Sequence, residues 1–367
     1  MRKIFLFLLA AFISYQSNAQ GCVAIRSNGN ACTMMNQHDE LAHNSNNWII
    51  GFNSRYFKSY KHFVGTEEQK QRVDEGTEVI NHFFSTEVAV TRQINSRWAF
   101  AFYVPVIANT RSSMYEHYGN ASSNPNARRE THSFGVGDIR MAGYYWLIEP
   151  AKAKKGNVQV GLGVKLPTGD YRYQDYFYKN DSVKVLGPVD QSIQLGDGGT
   201  GITTEVNAFY HVTKSFSVYA NAFYLLNPRE QNGVSTARGG TTSASAITYG
   251  SDVMSVPDQY MLRAGGSVAA NNFLFSGGVR MECVPSEDLI GGSIGFRRPG
   301  YVVSVEPVVS YKVNKTQFYF SVPFAVQRNR TQSYPDKLRT EKTGVYTHGD
   351  AAFADYTINF GVSFLLK

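Results

Sequence analysis

The sequence predicts an all-β chain, a closed antiparallel transmembrane β-barrel of about 12 strands with short periplasmic turns and long extracellular loops. Three observations predict it. From Trp48 onward, apolar residues alternate with polar or small ones in separate stretches. Side chains of a strand change face at every residue, so each stretch has one apolar and one polar face. The connections between stretches are short and long in turn, which is the loop asymmetry of bacterial barrels. A secretion signal precedes them.

Arg2 and Lys3 form a basic n-region, Ile4 to Ile13 an apolar h-region, and Ser17-Asn18-Ala19 a small-residue cleavage site. Residues 1–19 are read as a signal peptide, and export through it points to the bacterial outer membrane. Residues 20–46 show no strand pattern and are either a periplasmic leader or a plug folded into the lumen, and the barrel occupies 47–367. Cys22 and Cys32 are placed to close a small N-terminal loop by a disulfide, the alternative being two thiols in a flexible leader. Cys283 falls on the outward phase of its strand, where a lone thiol behaves as a small hydrophobe.

Composition agrees with a barrel. Aromatics make up 14% of the chain, with 23 Tyr and 24 Phe, and no apolar run after the signal reaches the ~20 residues a membrane helix needs. The mean hydropathy of -0.29 does not argue for solubility, because polar lumen and loop residues mask the lipid-facing band. Net charge is +7, and +5 once Arg2 and Lys3 leave with the signal. That surplus is spread along the chain with no arginine-rich cluster of the kind nucleic-acid binding uses.

The strands are expected near 47–63, 78–92, 97–107, 134–148, 157–168, 200–212, 216–227, 257–269, 273–284, 300–313, 317–329 and 352–366. Trp98, Phe100, Phe102, Val104 and Val106 share one face of the third strand. Val158 to Leu166 at even positions do so on the fifth, and Tyr356 to Phe364 at even positions on the twelfth. Even-numbered strands end in tight turns and odd-numbered ones in long polar loops, the longest near 108–133, 169–199, 228–256 and 330–351. Both chain ends then lie in the periplasm, and closure removes edges that lipid cannot solvate.

The opposite phase supplies the lumen. It carries Arg55, Glu87, Asp138, Arg140, Lys165 and Glu205 in the first half, and Arg263, Arg280, Glu282 and Glu306 in the second, with His211 and Asp355 besides. Interleaved charges of both signs can form a hydrogen-bonded network that constricts a channel or simply fills the barrel. A barrel of about 12 strands lies between packed 8-stranded and open 16-stranded ones, so a narrow path is possible but not required. Gly265-Gly266 and Gly277-Gly278 on neighbouring strands are candidates for a break that opens sideways into lipid. The alternative is that they make room for bulky neighbours such as Phe273 and Phe275.

The most distinctive text is Gly135-Val136-Gly137-Asp138-Ile139-Arg140, followed by Gly161-Leu162-Gly163-Val164-Lys165-Leu166-Pro167-Thr168-Gly169-Asp170. It resembles the outer-membrane barrel family named for the meta-pathway of phenol degradation, which looks like a relative of the fatty-acid and aromatic-hydrocarbon channels. The resemblance implies a passive channel for small molecules, hydrophobic ones included, with outer-membrane lipid around it and no cofactor. The chain lacks the N-terminal hatch signature of the fatty-acid channels and ends in Leu365-Leu366-Lys367, leaving Phe364 as the nearest terminal aromatic.

Enzymatic readings are weaker. Gly135-x-Gly137 and Gly161-x-Gly163 lack the third glycine and following helix of a dinucleotide fingerprint. His38 and His43, near Asp39 and Glu40, share no face of a helix or strand, so no metal site is expected. An outer-membrane lipid hydrolase would need a serine and histidine together at headgroup height, for which Ser54 and His82 are the outward-phase candidates. The remaining alternative is a filled structural barrel whose Tyr-rich loops bind surface ligands.

Overall fold

The computed structural model describes residues 47–116 and 127–366. The expected signal peptide at 1–19, residues 20–46 and the expected Cys22–Cys32 bridge lie outside the described residues. Twelve antiparallel strands close into a barrel. They are β1 Trp48–Val64, β2 Ile80–Gln93, β3 Trp98–Ser113, β4 in two segments (Arg129–Val136 and Arg140–Trp146), β5 Gly156–Lys165 and β6 Gly201–His211. The circuit continues with β7 Phe216–Leu226, β8 Gln259–Ala270, β9 Phe273–Val284 and β10 Gly300–Val313. It ends with β11 in two segments (Thr316–Ser321 and Phe324–Asn329) and β12 Ala351–Leu366, which pairs back onto β1 from Trp48↔Leu366 to Phe63↔Ala351.

Each strand shows its apolar phase outward. Trp98, Phe100, Phe102 and Val106 are exposed while Ala99, Ala101, Tyr103 and Ile107 between them are buried. Val160, Leu162 and Val164 repeat the pattern on β5, as do Tyr356, Phe360 and Phe364 on β12. A continuous belt of exposed aromatics and aliphatics far exceeds what water tolerates, so the wall faces lipid. Among the described residues, no helix is long and apolar enough to cross a membrane. The tight turns cluster at one end and are built by asparagine and threonine. Asn271 and Asn314 take left-handed φ of 53° and 52°, a conformation their short polar side chains tolerate. The Asn95 carboxamide oxygen accepts from the Arg97 and Trp98 N–H groups, each at 2.9 Å. Trp48 under Arg92 and Trp98 against Tyr145 mark that end with an aromatic girdle.

The wall is interrupted at two places that alternation does not reveal. β4 starts earlier than expected and breaks at 137–139, opposite Pro105 of β3, which has no N–H to give to the ladder. Above the break, the β5 side of β4 has no strand partner; Asp175 of a loop hairpin (Gln174–Tyr178 with Lys184–Pro188) accepts from the His132 N–H instead. β11 breaks at Val322-Pro323 for the same reason, that a proline ends the donor row.

The glycine pairs do not break their seam. β8 and β9 pair without a register shift from Tyr260↔Cys283 to Ala270↔Phe273, through Gly265↔Gly278 and Gly266↔Gly277. The expected sideways opening there is therefore corrected. A Cβ on Gly265 or Gly278 would stand 2.7 or 2.8 Å from the Tyr219 hydroxyl and closer still to facing backbone, whereas one on Gly277 would meet nothing. Gly265 and Gly278 make room for Tyr219 of β7 and Gly266 for Phe216 of the same strand, and none of the four for Phe273 or Phe275. Gly265→Val should accordingly abolish or sharply lower the refolded yield, while Gly277→Val should refold like the parent. The heat-dependent gel-mobility shift of folded barrels reads both, and equal behaviour of the two would contradict this packing. Cys283 keeps its outward phase but is fully buried, with Tyr260 and Tyr301 as cross-strand neighbours.

Candidate functional site

The inward phase assembles the charges that the sequence lists separately. Arg55, Glu87, Arg140, Lys165, Glu205, Arg263, Arg280, Glu282 and Glu306 are all buried inside the barrel. One chain of ion pairs crosses the lumen. Arg55 grips Glu282 with both Nη atoms, at 2.9 and 2.8 Å. Arg280 bridges Glu282 at 2.8 Å and Glu306 at 3.4 Å, and Arg263 Nε reaches Glu306 at 2.8 Å. Five side chains from four different strands thus form one network, in which the bidentate fork is the strongest contact.

A second group sits on β3, β4 and β6. Arg140 donates to Glu205 and stacks its guanidinium 3.9 Å above the Tyr103 ring. The Tyr144 hydroxyl donates to Glu205 at 2.9 Å and contacts the Tyr103 hydroxyl at 2.8 Å. Glu87 lies beside them in the wall of a cavity of about 40 Å³, together with Ile107, Leu195 and Phe223. Among the described residues, Arg140 Nε and Nη2 and Arg280 Nε are buried without a protein acceptor.

The third group carries the distinctive motif, and its role is to hold a loop. Asp138 stands at the break in β4 and accepts from the Gly169 N–H at 3.0 Å and the Asp197 N–H at 3.1 Å. Lys165 ion-pairs with Asp197 and lies 3.7 Å from Asp138. Thr168 accepts from the Ile139 N–H at 2.8 Å and donates to Gly137 O at 3.0 Å. These bonds tie the β5–β6 connection back into the barrel, where Val189, Asp190, Ile193, Gln194 and Leu195 are buried. Ile107 fills the space a Cβ on Gly137 would need: that Cβ would stand 2.7 Å from Ile107, 3.0 Å from Pro105 and 3.2 Å from Leu195 O.

The in-folded segment was not visible in the sequence, where 169–199 reads as one more polar loop. Its signal is short: apolar Val189, Ile193 and Leu195 among Asp, Gln and Gly. At its start, Asp190 is clamped by three arginines. Arg298 binds it with both Nη atoms at 2.7 Å, Arg238 at 3.2 Å and Arg111 at 3.5 Å. Burial alone would raise the Asp190 pKa, but Arg111, Arg298 and then Arg238 outweigh it and hold it well below the usual carboxylate range.

Above this segment lies a cavity of about 320 Å³ at the long-loop end, lined among others by His62, Asn81, Arg111, Ser192 and Asp350. His62 Nε2 accepts from the Val79 N–H at 2.8 Å, so Nδ1 carries the proton donated to Asp350 at 2.9 Å. Burial raises the Asp350 pKa, yet the His62 bond and Arg72 overcome this and depress it. Ser192 lines this upper cavity while Leu195 and Asp197 line the lower one. Residues 190–197 therefore stand between the two.

Other expected members fall elsewhere. His211 bonds Ser217 at 2.7 Å near the tight-turn end, and Asp355 forms a half-exposed cluster with Tyr60, Lys61 and Arg328. Neither joins the network. Ser54 Oγ pairs with Thr86 at 2.9 Å and His82 with the Tyr56 hydroxyl at 2.9 Å, so the outward serine and histidine are not brought together. His38, Asp39, Glu40 and His43 lie outside the described residues.

No protein-family model matches this chain, and no curated protein sequence does either. In fold it is similar to the COG4313 outer membrane channel from Pseudomonas putida F1. That protein is 11% identical, with 88% of this chain and 96% of that chain covered at a TM-score of 0.55. The toluene transporter TodX from Pseudomonas putida aligns over 95% of this chain and 96% of its own, at 8% identity and a TM-score of 0.42. At such identities likeness speaks for fold alone. Taken with the closed ladder and the apolar outer belt, the chain is a twelve-stranded transmembrane β-barrel of the kind built by bacterial outer-membrane channels.

Proposed function

We propose that this protein is a passive outer-membrane channel for small molecules, akin to the barrels of the meta-pathway family and narrowed by its own in-folded loop. The observation that carries the reading is the position of residues 190–197, between an open mouth cavity and a charged inner one. A barrel filled for stability alone has no need of this arrangement. Buried ion pairs roughly break even against apolar packing, and buried arginine nitrogens without acceptors call for water or solute beside them. The segment is held by ion pairs to the wall, contacts that can be exchanged for solute or water without unfolding the barrel.

Planar-bilayer recording and liposome swelling of the refolded full chain test this. The parent should show small conductance steps, and Arg140→Ala, Arg263→Ala and Arg280→Ala should each change ion selectivity or conductance, because fixed charge sets the field a permeant ion feels. Absence of conductance in the parent, or identical behaviour in all three folded variants, would favour the second reading, a filled structural barrel. That reading draws on the small size of the inner cavity, about 40 Å³.

A further inference from the structure

The mouth cavity is strongly cationic. Arg72, Arg111, Arg238, Arg298, Arg330 and Arg339 line it. The carboxylates that answer them are Asp190, Asp336, Asp350 and Glu116. Arg297 also lines the cavity, but Asp288 neutralises it with a pair at 2.6 Å. Among the described residues, six guanidiniums against four carboxylates leave a surplus of two positive charges, with His62 neutral as its Val79 bond requires. The surplus is concentrated. Three guanidiniums converge on the single carboxylate of Asp190, and Arg339 has no carboxylate within ion-pair reach among the described residues, resting instead over the Tyr249 ring at 5.5 Å.

Like charges gathered in a partly enclosed site repel one another, and a bound anion relieves that repulsion. Guanidinium forks match the paired oxygens of a carboxylate or phosphate, which a lone cation or a neutral sugar cannot exploit. Tyr115, Tyr249 and Phe296 add flat apolar wall to the same cavity, whose 320 Å³ is at the lower end of the range for small-molecule sites. Its floor is the in-folded Ser192 and its sides include the inward-phase Asn81 and Arg111, so it is reached from water and not from lipid.

We infer that the mouth cavity is a binding site for small soluble oxyanions, solutes bearing carboxylate or phosphate groups, captured before passage. The inference rests on the channel reading for the word passage, but the binding itself stands apart from it. Arg238 and Arg298 would serve twice, holding Asp190 when the site is empty and sharing their donors with the anion when it is filled.

Calorimetric titration of the detergent-solubilised full chain at low salt, with citrate, inorganic phosphate and glucose as probes, tests the inference. Citrate and phosphate should give saturable binding that weakens as salt is added, and glucose none. Arg298→Gln should weaken citrate binding by about tenfold or more, as expected for loss of a charge-assisted pair. Arg339→Gln, on an exposed helix that plays no part in the barrel wall, should also weaken it, and it keeps the test valid if the first variant misfolds. Lack of citrate and phosphate binding by the folded parent, or unaltered affinity in both variants, overturns the inference. Conductance without anion binding would leave the channel reading standing and remove this one; binding without conductance would do the reverse.

Discussion

Asp190→Ala should raise channel conductance severalfold while leaving the barrel folded. Asp190 is 4% exposed and is the common partner of Arg111, Arg238 and Arg298. Removing it leaves three guanidiniums facing one another at the root of the in-folded segment. Loss of one partner from a buried charge cluster costs ~3–5 kcal/mol, and here that penalty falls on a loop rather than on the strand ladder. The segment should swing out, joining the mouth cavity to the inner one. Conductance recorded beside the parent checks this, with protease cutting within 166–200 as a second readout.

The same contact gives a pH dependence whose sign is fixed. The folded pKa of Asp190 lies below its unfolded value of roughly 3.9. A depressed carboxylate stabilises the clamped state fully above its unfolded pKa and loses that contribution as pH falls toward the folded one. Asp350, also depressed, gives its own contacts with His62 and Arg72 at the mouth the same sign of pH dependence. Conductance of the parent should therefore climb as pH is lowered below about 4, from the unfolded carboxylate value toward the depressed folded one. Asp190→Asn should be open already at neutral pH and lose most of that climb. A flat parent profile would mean the clamp does not hold the segment.

Glu306→Ala should produce the largest loss of stability in the barrel itself. Its carboxylate is 1% exposed and accepts from Arg263 at 2.8 Å, Arg280 at 3.4 Å and Ser321 at 3.3 Å. Without it, Arg263 has lost its ion pair, and Arg280 must share Glu282 with Arg55. An uncompensated buried charge costs ~3–5 kcal/mol, which should appear as a marked fall in the urea midpoint of the gel-mobility transition. Replacing the pair together, Glu306→Leu with Arg263→Met, should recover most of the loss, because apolar groups of similar volume replace buried ion pairs at little net cost. If the double variant is as unstable as the single one, the network contributes shape that apolar side chains cannot reproduce.

Much of this molecule was legible one strand at a time. The alternation through Trp98, Phe100 and Phe102 placed β3 and its lipid face, and the same rule placed β5 and β12. It also put Arg55, Arg140 and Glu306 on the inner face, and the tight turns appeared where Asn271 and Asn314 stand. The glycine pairs show the limit of local reading. Gly265 and Gly278 look like weak points in a strand, but their reason is Tyr219, a residue of the neighbouring β7.

What the sequence by itself determined is the period-2 pattern, and with it the fold class and the side of the wall on which each charge lies, because side-chain direction in a strand depends only on the residue's own parity. Only the tertiary structure decided which charges meet. Arg55 and Glu282 are 227 residues apart and become partners because closing the barrel brings inward side chains of distant strands together across the lumen. It also decided that 190–197 folds inward, since that depends on Asp138 and Lys165 waiting at the break in β4 and on three arginines arriving from β3 and two other loops. Such encounters are set by register and closure, long-range quantities that no local pattern encodes.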